Sequence, residues 1–397
     1  MDKKKASKRF PAKAPRKRSK KRAPRSARHA FLPLITEPVV ELFQVMNEEG
    51  KIANAKAMPK LSMEQVKEMY YWMVLGRAFD QKMLALQRTG KLGTFASILG
   101  QEASNVASAF ALEKQDWLFP AFRETISLMV RGVSMKQQLQ MWGGDERGHV
   151  FAPETNCFSI AVPVATQTLH AVGAAWASKL LGEKNKAFIV YFGDGATSEG
   201  DCLEAMNFAG AFKAPVVFFN QNNQWAISVP RHRQTGAKTL AQKAIAFGFE
   251  GIQVDGNDVF AVYAATKYAL DKARSGGGPT FIESFTYRRS DHTTSDDATR
   301  YRDAKEVEYW AKRDPVDRLR KHLLVKKAWS ERDEAALLEK CSAEVEKAVQ
   351  EFLAITPDRP DAFFDYVYEK PTVEMEEQRV ELLDFLSRQP AAGEKKE

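Results

Sequence analysis

Residues 187–223 constrain this chain most: AFIVYFGDGATSEGDCLEAMNFAGAFKAPVVFFNQNN. An apolar run enters Gly193-Asp194-Gly195, a helical stretch follows, and a second apolar run ends in Asn222-Asn223. Short apolar runs joined by a helix read as neighbouring parallel strands buried on both faces. Twenty-nine positions separate Asp194 from Asn223. A carboxylate and an amide oxygen therefore stand at the carboxyl ends of two adjacent strands, the edge at which open α/β sheets bind ligands. Two hard oxygen donors suit Mg²⁺, which usually shares its shell with a diphosphate.

The remaining pattern extends this unit. Strands are expected at 186–192, 216–220, 251–254 and 280–288, and helices at 101–112, 166–181, 202–212 and 259–273. A first helix starts after Leu61, where Ser62 and Gln65 have the spacing of a capping box. Residues 116–123 read as a turn-rich segment. The alternation of strands and helices gives an α/β fold, a parallel sheet flanked by helices with helical extensions. Four segments are expected: a disordered basic arm over 1–30, a lead-in over 31–60, the α/β domain over 61–303, and a C-terminal helical extension over 304–397, broken at Pro315, Pro357 and Pro360.

Charge separates the arm from the body. The formal net charge is +8, but residues 1–30 alone carry +13, which leaves −5 on the rest. A Lys-, Arg- and Pro-rich arm with one Phe cannot bury a core. It has no apolar segment of a secretory signal, and as a lone basic tail it does not favour nucleic acid as a partner. No apolar run reaches the roughly 18–20 residues of a membrane helix. Cys157, Cys202 and Cys341 are odd in number and widely spaced, which excludes a disulfide framework or zinc site and fits a reducing, cytoplasmic location. Cys202 and Cys341 fall in helical patterns as packing residues. A dinucleotide fingerprint would need a third glycine where Ser198 stands, so the nicotinamide-enzyme alternative is disfavoured.

The Asp-Asn unit, together with LGQEASNVASAFALEKQD, NNQWAIS, RQTGAKTLAQKA and DHTTSDDATRYR, resembles the alpha subunits of thiamine-diphosphate-dependent 2-oxoacid dehydrogenases. These are the first components of the pyruvate and branched-chain complexes. The resemblance spans about residues 42–368 and implies a transketolase-like, thiamine diphosphate-binding fold. The lead-in and the GQEASNVASAFALEKQDW run are most similar to bacterial pyruvate-type subunits, with a branched-chain enzyme acting on 3-methyl-2-oxobutanoate as the alternative.

The same resemblance implies a site. Asp194, Asn223 and the carbonyl of Trp225 match Mg²⁺ ligands, Trp225 standing where the family usually has Tyr or Phe. Gly193, Gly195 and Ala196 match the diphosphate turn; Gly195 and Ala196 open a helix whose N–H groups can meet diphosphate oxygens. Arg123 matches a diphosphate clamp, with Phe122 beside it where tyrosine is common. Gln221 replaces a phosphate-binding arginine of some relatives. Val162 and Val164 match the positions that contact the aminopyrimidine. Thr166 and Gln167 match a monovalent-cation loop, two serines of which are Ala161 and Val162 here. His292 matches a catalytic histidine, able to act as acid or base near neutral pH. Thr293 occupies a regulatory phosphoserine position of mitochondrial relatives. Residues 95–99 are expected to line the acyl pocket. The implied partners are a beta subunit in an α₂β₂ heterotetramer, which supplies a glutamate this chain lacks, a lipoyl-bearing acyltransferase core, and a small 2-oxoacid.

Overall fold

The computed structural model describes residues 40–389; the basic arm expected over residues 1–30 lies outside them. The chain enters as β1 (Leu42–Phe43) and reaches α1 (Met63–Arg88). Ser62 Oγ accepts from Gln65 N at 3.2 Å while Gln65 Oε1 accepts from Ser62 N at 2.9 Å, closing the expected capping box. Next come α2 (Glu102–Phe110), β2 (Trp117–Phe119), α3 (Thr125–Val130), α4 (Met135–Trp142) and α5 (Thr166–Leu180). The Asp-Asn unit is β3 (Phe188–Gly193), α6 (Gly200–Phe212) and β4 (Val216–Asn222). A short hairpin, β5 (Trp225–Ala226) with β6 (Val229–Pro230), precedes α7 (Lys243–Ala246), β7 (Glu250–Asp255), α8 (Val259–Arg274) and β8 (Thr280–Phe285). The described residues end with α9 (Ala304–Ala311), α10 (Pro315–Val325), α11 (Glu331–Leu353) and α12 (Val373–Ser387).

Six of these strands form one sheet in the order β1-β7-β8-β4-β3-β2. Every pairing in it is parallel. Side chains alternate between two cores, as the two-residue period of a strand requires. Ile189, Tyr191, Val217 and Phe219 pack with residues of α1, α2, α8, α10 and α11. Phe188, Val190, Phe192, Val216 and Phe218 pack on the other face with α5, α6 and α7. Burial on both faces is why β3 and β4 read as unbroken apolar runs.

Besides the β5–β6 hairpin, two strands of the main sheet were not expected from the sequence. The turn-rich reading of residues 116–123 gives way to β2, which pairs with β3 from Trp117↔Phe188 to Phe119↔Val190. Asp116 fixes that edge, its Oδ1 accepting from Ala187 N at 3.0 Å. Within the lead-in, β1 pairs with β7. One residue pins it: Asp258 Oδ2 accepts from Val45 N and Met46 N at 2.7 and 2.6 Å, while Oδ1 caps α8 at Phe260 N. Of the expected breaks, Pro315 is the first residue of α10, with Asp314 as its cap. Cys202 and Cys341 are buried in α6 and α11. Among the described residues no helix is long and apolar enough to cross a membrane.

Candidate active site

Parallel pairing places Gly193 opposite Gln221, so Asp194 and Asn223 leave the sheet side by side at its carboxyl edge. A cavity of about 700 Å³ opens there. All ten residues expected at the site line it: Arg123, Val162, Val164, Gly193, Asp194, Gly195, Ala196, Asn223, Trp225 and His292. Phe122, Gln167, Gln221 and Thr293 line it too, whereas Thr166 does not. Of residues 95–99 only Ala96 reaches the cavity. Phe95 and Ile98 are fully buried in the core beneath it, and Thr94 and Trp142 supply wall instead. Trp142 meets Phe95 edge-on at 5.4 Å.

The turn after β3 also departs from expectation. Gly195–Ser198 is a 3₁₀ turn, and the α-helix starts only at Gly200. Gly195 is needed for close approach, since a Cβ there would stand 2.7 Å from the Ala226 Cβ. Ala165 and Ile227, both in the cavity wall, and Gln224 beside it have φ of 72°, 53° and 73°. A left-handed backbone at non-glycine residues is a strain that tends to gather at functional sites.

Burial governs the electrostatics. Asp194 is 2% exposed, and burial pushes its carboxyl up to about 6 despite a hydrogen bond from Gln234 Nε2 at 2.6 Å. Asn223 Nδ2 donates to Gln101 Oε1 at 3.2 Å. Arg123 donates to Ser97 O at 2.6 Å and to the carbonyl of His292. Its Nη2 lies 3.0 Å from His292 Nδ1, and Arg288 Nη1 lies 3.3 Å from the same nitrogen. Neither arginine has a carboxylate ion-pair partner among the described residues, and both guanidinium pKa values are lowered, first by burial. Arg123, which lines the cavity with carboxylates acting on it only at a distance, leaves a demand for an anion there.

That arrangement revises the reading of His292. Burial, then Arg123 and Arg288, push its imidazole down to about 4. Guanidinium nitrogens can only donate, so Nδ1 accepts and the ring proton sits on Nε2. In the unliganded chain His292 is thus a neutral N–H donor, not a group that titrates near pH 7.

Five further residues matter that the sequence reading passed over. Arg288 holds Trp225 O and Ile227 O at 3.2 and 2.8 Å; its signal was a guanidinium closing an apolar strand. Glu124 is buried, its carboxyl raised to about 7 by burial, and it accepts from Gln221 Nε2. Asn105 Nδ2 donates to Gln221 Oε1 at 2.9 Å, so both ends of the Gln221 amide are engaged. Gln101 and Gln234 also line the cavity, and neither amide stood out in the sequence.

Residues 70–357 match the family described as Dehydrogenase E1 component. The chain belongs to this family. A Staphylococcus aureus (strain Mu50 / ATCC 700699) relative, the pyruvate dehydrogenase E1 component subunit alpha, is 44% identical over 317 residues, covering 80% of this chain and 85% of the relative. The Bacillus subtilis (strain 168) protein of the same description is 42% identical over 338 residues, covering 85% and 91%. Membership in the dehydrogenase E1 component family implies thiamine diphosphate as cofactor, and this chain's residues fit such a group. Arg123, facing the cavity without a direct ion-pair partner, suits an anion such as a diphosphate. Gln101 Nε2 and Gln167 Oε1 are buried in the cavity wall without hydrogen-bond partners. Among the described residues no cluster of three or more His, Cys, Asp or Glu could hold a metal. One carboxylate, one amide oxygen and one carbonyl suit a hard cation that draws its remaining ligands from phosphate oxygens.

Proposed function

We propose that this chain is the alpha subunit of an acetyl-transferring pyruvate dehydrogenase. It decarboxylates pyruvate with thiamine diphosphate and Mg²⁺ and reductively acetylates the lipoyl group of an acyltransferase core. One observation carries the reading: Asp194, Asn223 and Trp225 converge in a cavity lined also by Arg123 and His292, with the buried Arg288 behind His292. The descriptions of the bacterial relatives favour pyruvate over a branched-chain acid.

When bound, thiamine diphosphate supplies the nucleophilic carbon and the electron sink that decarboxylation of a 2-oxoacid needs. The chain's own residues bind and orient it. Asp194, the Asn223 amide oxygen and the Trp225 carbonyl would hold Mg²⁺. Arg123 would clamp the diphosphate with charge-assisted hydrogen bonds, beside the turn from Gly193 to Ala196. The backbone at Val162 and Val164 would contact the aminopyrimidine. His292 holds its proton on Nε2 and can donate it to developing negative charge. The glutamate that activates the aminopyrimidine would come from a beta subunit, in an α₂β₂ assembly, and the reducing cytoplasm would be its location.

The test is turnover by the chain co-expressed with its beta partner, with cofactor, Mg²⁺ and an artificial electron acceptor. Faster turnover of pyruvate than of 3-methyl-2-oxobutanoate is expected. The reverse order would keep the chemistry and reassign the substrate. Absence of cofactor-dependent turnover with either acid, from a well-folded tetramer, would overturn the proposal.

A further inference from the structure

The Asp194 carboxylate has two oxygens, and only one of them is engaged by another side chain. Gln234 Nε2 donates to Oδ2 at 2.6 Å, and no other side-chain donor to this carboxylate occurs among the described residues. Gln234 Nε2 also lies 3.5 Å from Val229 O. Two acceptors on one side fix which end of the amide is nitrogen, a choice that coordinates alone leave open. Gln234 Oε1 then turns over the diphosphate turn, 3.8 Å from where a Cβ on Gly195 would stand.

The backbone that carries Gln234 is itself held. Its N–H donates to Arg231 O at 3.0 Å, and Arg231 Nη2 donates to Ala237 O and to Lys238 O. The amide is therefore anchored at both ends of its side chain. A hydrogen bond that fixes a carboxylate's rotamer from behind also decides which of its lone pairs faces a cation.

We infer that Gln234 is a positioning residue for the cation: its amide holds Asp194 Oδ2 and leaves Oδ1 as the single oxygen presented to the metal. The inference rests on the proposed function. It adds that the loop after β6, from a different part of the chain than the Asp-Asn unit, sets how tightly that unit binds its divalent ion. A purely structural Gln234 would affect the stability of the chain and leave cation binding unchanged.

The experiment uses the enzyme assembled with its beta partner and compares wild type with Gln234→Ala and Gln234→Met. Met keeps the length of the side chain and removes only the donor, so it carries the test if the Ala variant assembles poorly. Cofactor binding is followed by quenching of tryptophan fluorescence during Mg²⁺ titration at fixed thiamine diphosphate. Mn²⁺ is counted separately by the paramagnetic resonance signal of the free ion, without turnover. Both variants should need about 10- to 100-fold more divalent ion for half-saturation, the cost usual for losing a hydrogen bond behind a metal ligand. Half-saturation of an assembled Gln234→Met enzyme within about two-fold of wild type, well below that cost, would overturn the inference. Cation-independent binding or no binding by wild type would instead overturn the functional reading, and the inference with it.

Discussion

Asp194 and His292 are both placed against their charged forms, with opposite consequences for stability. The Asp194 carboxyl is raised from 3.8 to about 6. Between those values the native chain binds more protons than the unfolded chain, so stability falls as pH rises through the window. At pH 7.5 the ionised, metal-free carboxylate costs on the order of 3 kcal/mol. Asp194→Asn should therefore raise the urea midpoint of the metal-free chain at pH 7.5, with the gain shrinking toward pH 4, and should abolish stabilisation by Mg²⁺. A lower midpoint at pH 7.5 would contradict this account. His292 is lowered from 6.5 to about 4. Here the native chain binds fewer protons, so stability is lost as pH falls from 6.5 toward 4. The two slopes oppose each other between pH 4 and 6. Removing the imidazole should expose the Asp194 slope, and His292→Asn should become more stable relative to wild type as the pH drops below 6. Urea unfolding at pH 5 and pH 7.5 reads both variants.

Among the elements, α5 and α6 show how neighbours decide what a glycine does. Gly210, in α6, approaches the loop after α7 so closely that a Cβ would lie 2.0 Å from Phe247 O. A backbone carbonyl cannot swing aside, so Gly210→Ala should destabilise by roughly 2–3 kcal/mol, as overpacking does. Gly173, in α5, is exposed with nothing within 4 Å of its would-be Cβ. Gly173→Ala should stabilise the isolated chain by about 0.5–1 kcal/mol through helix propensity. Thermal unfolding of the two variants checks the contrast, and equal shifts would refute it. The same dependence on neighbours marks what could be read from sequence. The strands β3, β4 and β8 were legible because two-sided burial favours apolar residues along them, and Asp194 with Asn223 because they close two such runs. Strands β1 and β2 were not, being two and three residues long: β1 is held by Asp258 from a distant part of the chain, and Asp116, just before β2, bonds to the distant Ala187. Arg288 and Gln234 escaped for a similar reason. Their importance lies in what they face, a carbonyl and a carboxylate from other elements, and neither spacing nor composition records that. His292 was legible by position but not by protonation, which burial first, and then Arg123 and Arg288, determine.

At the scale of the molecule, the cavity is unfinished. Its rim is apolar and wet: Val162 is 62% exposed, Ile227 57%, Val164 50% and Val229 43%. Apolar residues gathered at the mouth of one cavity mark a surface made to be covered. The sheet's two faces are unequally clothed as well. Helices α1, α2, α8, α10 and α11 contribute to one core, and only α5, α6 and α7 to the other. That thinner side leaves Leu180 and Leu181, at the end of α5, exposed to water. A beta subunit closing the cavity would bury the rim and exclude water, which strengthens every charge interaction inside it. Val229 offers a clean probe, because it belongs to the rim and to none of the groups assigned to cation or diphosphate. A charge at this exposed position should shift the unfolding of the isolated chain by no more than about 0.5 kcal/mol. Once a partner covers it, the same charge is desolvated without a counter-ion. Val229→Glu should therefore leave the chain folded while the alpha and beta chains elute separately by size exclusion with light scattering, in the absence of cofactor. An intact α₂β₂ species at wild-type concentration would place the beta subunit elsewhere and leave the rim to solvent.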